Sequence, residues 1–250
     1  MIIHMDTEEL FLRNVHIRWD EIPEESYLRN IPALSSLKDL PFHAPVTIFS
    51  GENGSGKSTL LEAIAISLGF NPEGGTRNYS FSTYDSHSSL SNAFTLTRGY
   101  RKMKYGYFLR AESFYNVATM EERYSAEDPR GRALHLHMRS HGESFLVLAQ
   151  NNFRGNGIYL LDEPEAALSP QRQLSLLKII YDAVKEGSQF IITTHSPILS
   201  AIPGAEILSF DEGEIHPISY EETGAYKISS LFINRREKIL EELLKEDDND

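Results

Sequence analysis

The sequence predicts an α/β fold in which helices flank a mostly parallel central sheet. Three short apolar runs, rich in β-branched residues, have the length and composition of buried strands: 46–49, 158–161 and 190–193. Segments with helical periodicity follow the first two of these runs. Strands that alternate with helices along a chain usually pair in parallel, with the helices packed on the faces of the sheet.

Four segments have the periodicity of amphipathic helices: 59–68, 143–150, 170–186 and 235–245. The third starts at Ser169-Pro170, where serine is a favourable cap and proline a favourable first helical residue. Its inward face is expected to carry four apolar residues, Leu174, Leu177, Tyr181 and Val184.

Two further segments predict a small antiparallel part beside the main sheet. Residues 11–18 alternate as an early strand does, and the arms of a hairpin are predicted at 95–97 and 105–109. Three prolines interrupt 28–45, which predicts a connection rather than regular structure. The segment 71–92 is rich in Ser, Gly, Asn and Tyr, and a long surface loop is expected there.

Composition and charge exclude several classes of protein. The 250-residue chain has no cysteine, which excludes disulfides and thiolate metal sites. It has no apolar run of the roughly 18 residues that a membrane helix needs, and its start lacks a secretory signal, so a cytoplasmic location is expected. The net charge of −12 argues against indiscriminate nucleic-acid binding. We expect one domain over 1–246 and a disordered acidic tail at 247–250.

A glycine-rich loop between the first buried strand and the first helix has the complete P-loop pattern. Its backbone N–H groups and the positive end of the helix converge on phosphate oxygens. Lys57 is expected to reach the β- and γ-phosphates of ATP, and the Ser58 hydroxyl to hold Mg²⁺. The expected nucleotide-binding residues are Gly51, Glu52, Asn53, Gly54, Ser55, Gly56, Lys57, Ser58 and Thr59.

Two acidic residues follow the second buried strand, at the strand ends where ligands bind in open α/β sheets. Asp162 is expected to complete the Mg²⁺ shell by holding the ion through water. Glu163 points in another direction and is expected to polarise the attacking water as a general base. Together with the P-loop, these residues predict an ATPase of the P-loop NTPase fold.

The combination of motifs resembles the ABC-type ATPases, in particular the branch of SMC, RecF and small stand-alone predicted bacterial ATPases. The likeness extends from Phe11 to about Phe210 and includes Asp162-Glu163-Pro164-Glu165-Ala166-Ala167-Leu168-Ser169-Pro170. It also includes Thr193-Thr194-His195-Ser196-Pro197, and the resemblance implies that His195 senses the γ-phosphate and assists catalysis.

Ser140-His141-Gly142-Glu143 has the position of the ABC signature, a turn that opens a helix 22 residues before Asp162. In the family, this turn caps the γ-phosphate bound by another subunit, which implies an ATP-dependent homodimer. His141 stands where the family has glycine. No glutamine lies between the P-loop and the signature, and Glu112 is the candidate for that role. Three residues are candidates for the adenine contact, Tyr27, Arg13 and Trp19.

The process that ATP drives has three candidate explanations. The favoured one is an engine for a partner protein or a nucleic-acid process, such as DNA repair or phage defence. Nucleic acid could contact a basic cluster with interleaved tyrosines, formed by Arg98, Arg101, Lys102, Lys104 and Arg110. A solvated surface is the commoner explanation of such a cluster. The alternatives are the ATPase subunit of a membrane transporter and a non-catalytic ATP-binding switch.

Overall fold

The computed structural model describes residues 5–77, 89–127, 136–138 and 140–245, and these residues form two sheets. The six-stranded main sheet has the order β5-β6-β7-β3-β8-β9; all its neighbouring strands are parallel except the β8–β9 pair. The antiparallel sheet β2-β1-β4 accompanies it. The strands are β1 Leu12–Ile17, β2 Asp39–Pro41, β3 Val46–Ser50, β4 Phe94–Arg98, β5 Tyr105–Arg110, β6 Gly157–Asp162, β7 Gln189–Thr193, β8 Glu206–Ser209 and β9 His216–Ile218.

This architecture confirms the predicted fold class, a mostly parallel α/β sheet with a small antiparallel part. The helices are α1 Pro32–Ser35, α2 Lys57–Ser67, α3 Phe114–Glu127, α4 His141–Asn152, α5 Pro170–Lys185, α6 Pro197–Ser200 and α7 Gly224–Leu243. The Ser169 side chain caps α5 by accepting from the Arg172 N–H, as the Ser-Pro start predicted. No helix within the described residues combines the length and the hydropathy needed to cross a bilayer.

The central strands are buried on both faces, and alternate residues contribute to two separate cores. On one face, Phe49 of β3 and Leu160 of β6 pack with Leu60 and Ile64 of α2 and with the antiparallel sheet. On the other face, side chains of the same strands pack with α4 and α5; those of β3 and β6 are Val46, Ile48, Tyr159 and Leu161. Because both faces of these strands are buried, nearly every position along them must be apolar, and their sequences are nearly continuous apolar runs.

The hairpin predicted at 95–97 and 105–109 is wrong, because its two arms belong to different sheets. β4 pairs with β1, whereas β5 pairs in parallel with β6. The physical reason is the composition of β5. Tyr107, Phe108 and Leu109 are each fully buried, and burial of consecutive side chains requires cover on both faces of a sheet.

Two helix predictions are corrected in detail. The inward face of α5 is formed by Leu176, Ile180, Ala183 and Val184, while Leu174 is 57% exposed. The terminal helix begins at Gly224 rather than at 235, and the non-helical dihedrals of Arg235 mark a kink inside it. The predicted loop 71–92 is partly described, since 78–88 lie outside the described residues, as does the predicted tail at 247–250.

Candidate functional site

The loop between β3 and α2 encloses the ammonium group of Lys57. This side chain is only 4% exposed, and its Nζ donates hydrogen bonds of 2.7 Å to the carbonyl oxygens of Gly51 and Glu52. Gly56 has a φ of 102°, and a Cβ there would lie 2.7 Å from the Ile31 side chain. Glycine at this position therefore allows both the turn and the close packing of α1 against the loop.

Several hydrogen-bond donors of this loop are suited to phosphate oxygens. The first-turn N–H groups of α2 have no acceptor within the helix. The buried Ser55 Oγ has no hydrogen-bond partner in the part of the chain that the structure describes. Burial lowers the pKa of Lys57, while the carboxylates of Glu163, Asp211 and Asp162 act in the opposite direction. A phosphate group would provide the acceptors that these donors need, so the loop fits the phosphates of a nucleoside triphosphate.

The ends of β6 and β7 and the first turn of α2 bring a carboxylate and two hydroxyl groups together. Asp162 is 6% exposed, and its Oδ1 accepts hydrogen bonds from Ser58 Oγ at 2.8 Å and from Thr193 Oγ1 at 2.7 Å. Carboxylate and hydroxyl oxygens are the ligands that Mg²⁺ prefers. Asp162 and Ser58, the two predicted metal ligands, are thus adjacent and fit Mg²⁺.

Arg110 also lies at this site, which sequence reasoning missed by placing it in a surface cluster. It is the last residue of β5 and stands in register with Asp162 on β6. Its Nε is 3.4 Å from Asp162 Oδ2, and its Nη1 donates to Glu62 Oε2 at 2.6 Å. Glu112, the candidate for the missing glutamine, points to solvent with 87% of its side chain exposed, and its carboxylate is 3.7 Å from Arg110 Nη2. The sequence signal was limited to its position at the end of the predicted strand 105–109, and the neighbouring Asp162 strand is known only from the pairing of β5 with β6.

Glu163 and His195 face each other beside the P-loop. Glu163 has a φ of 49°, a left-handed conformation that costs about 1–2 kcal/mol and turns its side chain away from that of Asp162. Its N–H donates to the carbonyl and the hydroxyl of Thr193, at 3.1 Å each. The His195 Nε2 is 3.7 Å from Glu163 Oε1, and both side chains are half-exposed, so water reaches them.

Glu165 fixes the backbone on which His195 stands. Its Oε1 accepts a hydrogen bond of 2.5 Å from the His195 N–H, and the Thr194 hydroxyl also lies close to this carboxyl group, whereas its buried Oε2 has no hydrogen bond of normal geometry among the described residues. Burial raises the pKa of this carboxyl group, against the effect of its backbone hydrogen bonds. A cleft of about 220 Å³ next to His195 is lined by Gly51, Glu52, Asp211 and the first turns of α7.

The signature-like segment opens α4 on the side of α5. The Ser140 N–H donates to Glu143 Oε2 at 3.1 Å, which stabilises the start of the helix. Arg172 of α5 donates to Ser140 Oγ at 3.3 Å and to Glu143 Oε1 at 3.1 Å. A Cβ on Gly142 would lie 2.8 Å from the Ala167 carbonyl, so the turn packs closely on the segment that follows Glu163. The His141 ring packs against the Phe114 ring in a tilted arrangement, with 4.9 Å between the ring centres.

The basic cluster predicted around residue 100 does not form one surface. Arg101 donates to Asn156 Oδ1 at 2.6 Å and to the Gly187 carbonyl at 3.0 Å, so it is a structural residue. Arg110 belongs to the Asp162 site, as described above. Of the adenine candidates, Trp19 donates to the Leu37 carbonyl at 2.6 Å, while Tyr27 and Arg13 are exposed.

Comparisons with known proteins give two matches to family models. The model of an AAA domain matches residues 27–131, and the model of an AAA ATPase domain matches residues 144–199. Among curated proteins, the guanosine import ATP-binding protein NupO of Bacillus subtilis is 24% identical over 209 residues, which are 74% of this chain and 40% of NupO. The nucleoside import ATP-binding protein NupA of Lactococcus lactis subsp. cremoris is 27% identical over 168 residues, 58% of this chain and 32% of NupA. The chain thus spans well under half the length of these relatives.

Comparison with solved structures finds two ATPase-type domains with TM-scores below 0.5. The SMC head domain from Thermotoga maritima has a TM-score of 0.45 at 14% identity and covers 84% of this chain and 100% of its own. The cbiO1 protein from Clostridium perfringens, part of the ABC transporter complex cbiONQ, has a TM-score of 0.48 at 14% identity, over 94% and 99%.

The two family models match different segments of the chain, whose site residues lie close together in the fold described above. The first includes the P-loop and Arg110, and the second includes Asp162, Glu163 and His195, which the parallel sheet brings to the same edge. Both parts of the chain therefore match models of AAA-type ATPase domains, and the groups that ATP binding requires lie together at this edge of the sheet.

Proposed function

We propose that two copies of this chain close around ATP and Mg²⁺, and that the cycle of closure and hydrolysis drives a partner protein or a nucleic-acid process. The proposal takes residues 1–246 as one ATPase domain. The observation that carries it is the placement of Ser140 and Gly142. Gly142 packs on Ala167 and Ser140 is bonded to α5, and no hydrogen bond among the described residues joins Ser140 or Gly142 to residues 51–59 of the same chain.

The chemistry follows from the position of each side chain. Lys57 would exchange its two carbonyl acceptors for oxygens of the β- and γ-phosphates, a charge-assisted contact that a partly dry site strengthens. Glu163, half-exposed and turned away from Asp162, is placed to accept a proton from an attacking water. His195, which lies beside the Glu163 carboxylate, would donate a hydrogen bond to the γ-phosphate.

Mg²⁺ would be held by Ser58 and Asp162 and would neutralise charge on the phosphate oxygens. Thr193 keeps Asp162 Oδ1 oriented, and Arg110 contacts Oδ2. Arg110 is also bound to Glu62 of α2, so it links the helix of the P-loop to the carboxylate at the end of β6. We assign Arg110 as a positioning residue for Asp162.

The helix start at Ser140 would complete the site of the second copy. Its N–H groups and the Ser140 hydroxyl are donors of the kind that bind a γ-phosphate. Arg172 fixes Ser140 and Glu143 in place before any contact with the second copy. A contact of this kind is two-fold, because each chain gives one helix start and receives one.

The decisive experiment measures solution mass by light scattering with Glu163→Gln, which should bind ATP but not hydrolyse it. We expect a doubled mass with Mg-ATP, and a monomer with Lys57→Ala under the same conditions. Gly142→Ala combined with Glu163→Gln should bind ATP and remain a monomer. A monomeric Glu163→Gln protein at high concentration with bound ATP would contradict the two-copy mechanism.

A transporter ATPase is the second candidate function, because two curated relatives are described as import ATP-binding proteins. The two functions differ in what stimulates hydrolysis. Turnover should rise with nucleic acid or with a partner protein under the first proposal. Co-purification with an integral membrane protein that raises turnover would favour the second.

A further inference from the structure

Three cationic side chains line a cleft at the edge of the main sheet opposite to the P-loop. The cleft has a volume of about 510 Å³ and includes Arg77, Lys104 and Arg154. It lies at the N-terminal ends of β5 and β6, next to Gly69 at the end of α2. Because α2 has 11 residues and spans about 16 Å, the cleft is separate from the ATP site.

Among the described residues, no acidic side chain lines the cleft beside these cations. The described residues that complete it are polar, aromatic or small and include Thr76, Asn152 and Tyr105, with no Asp or Glu. None of the three cations takes part in an ion pair within the described residues. In a chain with a net charge of −12, cations gathered without carboxylates repel one another, and a bound anion would remove that cost.

The position of each cation suits a planar or tetrahedral anion. Arg77 lies next to the C-terminal end of α2, and Lys104 is an exposed residue at the start of β5. The Arg154 guanidinium lies 5.4 Å from the centre of the Tyr105 ring, and its Nε donates to the Asn151 carbonyl, which leaves the Nη groups available for a ligand. Tyr105 is 42% exposed and offers a flat surface beside these donors.

We propose that this cleft binds a phosphate-bearing ligand. Arginine and lysine are the side chains that recognise phosphate oxygens through charge-assisted hydrogen bonds. The volume of the cleft falls within the range of about 300–1,000 Å³ that is usual for ligand sites. The half-exposed Tyr105, with Arg154 over its ring, would stack on a base if the phosphate belongs to a nucleotide or a nucleic acid.

The test uses the full chain carrying Lys57→Ala, so that a phosphate probe does not bind at the P-loop. Inorganic pyrophosphate and a labelled oligothymidylate are titrated at low ionic strength. Arg77→Ala with Lys104→Ala should weaken binding tenfold or more, while Lys178→Ala with Lys238→Ala changes the charge equally on α5 and α7 and should have little effect. For the oligothymidylate, the salt dependence should also fall by about 0.7 in the logarithmic slope for each phosphate contact removed.

The two probes separate the possible sources of the phosphate. Binding of pyrophosphate alone indicates a small phosphate compound, and binding of the oligothymidylate indicates a nucleic-acid backbone; both support the cleft if the double variant weakens them. The proposal is overturned if neither probe binds, or if the cleft variant binds as tightly as its control. Lys104→Gln provides a milder variant should the double one fold poorly. Because Lys57→Ala is present throughout, the result does not depend on ATP hydrolysis or on dimer formation.

Discussion

Cationic side chains lie at both ends of the main sheet, but their surroundings differ: those at the P-loop end are bonded to acceptors, and those at the other end are exposed. At the P-loop edge, Lys57 is buried and bonded to two carbonyl oxygens, and Arg110 is bonded to Glu62 and lies close to Asp162. At the other edge, Arg77 and Lys104 are exposed and form no ion pair within the described residues.

This difference separates two tasks that a cationic site can have. Paired charges at the P-loop edge fix the position of each group before a ligand arrives, and preset geometry is what a reaction requires. Cations without carboxylates bind anions with little geometric demand, which suits recognition rather than chemistry. The predictions below test whether the groups at the P-loop edge are as tightly positioned as this comparison requires.

The largest effect is expected from Glu163→Gln. Loss of the general base should reduce the rate of ATP hydrolysis by about 10²–10⁴-fold, since general-base catalysis contributes an effect of that size. Glu112→Gln is the matched control, because Glu112 is 87% exposed and should leave the rate almost unchanged. Steady-state phosphate release measures both variants. If both variants lost the same fraction of the hydrolysis rate, the assignment of Glu163 as the general base would be contradicted.

Arg110 shows why part of the site could not be predicted from the sequence. Its neighbours Glu62 and Asp162 are 48 and 52 positions away in the chain, and only the pairing of β5 with β6 brings all three together. The sequence instead suggested a hairpin, in which the same segment is half-exposed and basic. Motifs with contiguous residues, such as the P-loop, need no such pairing and could be predicted.

The same distinction between local and long-range information decides which parts of the fold could be predicted from the sequence. The buried strands β3, β6 and β7 could be predicted because their apolar runs are continuous and short. On α5, Val184 was placed correctly on the inward face, but Leu174 was not, because it is as apolar as the buried Leu176 and Ile180. The choice of face depends on which neighbours cover it, and that is tertiary information.

Arg110→Gln should lower the rate of ATP hydrolysis about tenfold, with a smaller change in the KM for ATP. The hydrogen bond to Glu62 and the 3.4 Å ion pair with Asp162 would both be lost, so Asp162 would lose one of the groups that orient it. A tenfold loss corresponds to about 1.4 kcal/mol of the activation barrier. Arg110→Lys is the control: it keeps the charge but lacks the planar fork that reaches Glu62 and Asp162 together. Full activity of the lysine variant would show that the charge alone matters and that positioning does not.

Gly142→Ala and Gly224→Ala should change stability in opposite directions. Both glycines lie in the first turn of a helix, where alanine gains up to about 1 kcal/mol of helix propensity. At Gly142 the new methyl group would lie 2.8 Å from the Ala167 carbonyl, and overpacking of this kind costs about 1–3 kcal/mol. At Gly224 there is no atom within 4 Å. Thermal unfolding of both variants measures the difference, and equal shifts would contradict the close packing of the signature segment.

The smallest effect concerns the pH dependence of stability through Glu165. Burial raises the pKa of Glu165 above its usual value of 4.5, so the folded protein binds this proton more strongly than the unfolded chain does. The contribution of Glu165 to the free energy of unfolding is therefore highest at low pH and decreases as the pH rises from about 4.5 through the raised pKa. Glu165→Gln should remove this decrease, which denaturant unfolding at a series of pH values would measure.

Glu222 offers a control with the opposite sign. Its hydrogen bonds with Ser219 lower the pKa of its carboxyl group, so its stabilising contribution is present above 4.5 and is lost as the pH falls through the lowered pKa. Glu222→Gln should therefore reduce stability at neutral pH and lose its effect in acid, whereas Glu165→Gln should gain relative to the parent as the pH rises. A difference between Glu165→Gln and the parent that stays constant with pH would mean that water reaches this carboxylate, and that the backbone under His195 is held less firmly than its bond of 2.5 Å implies.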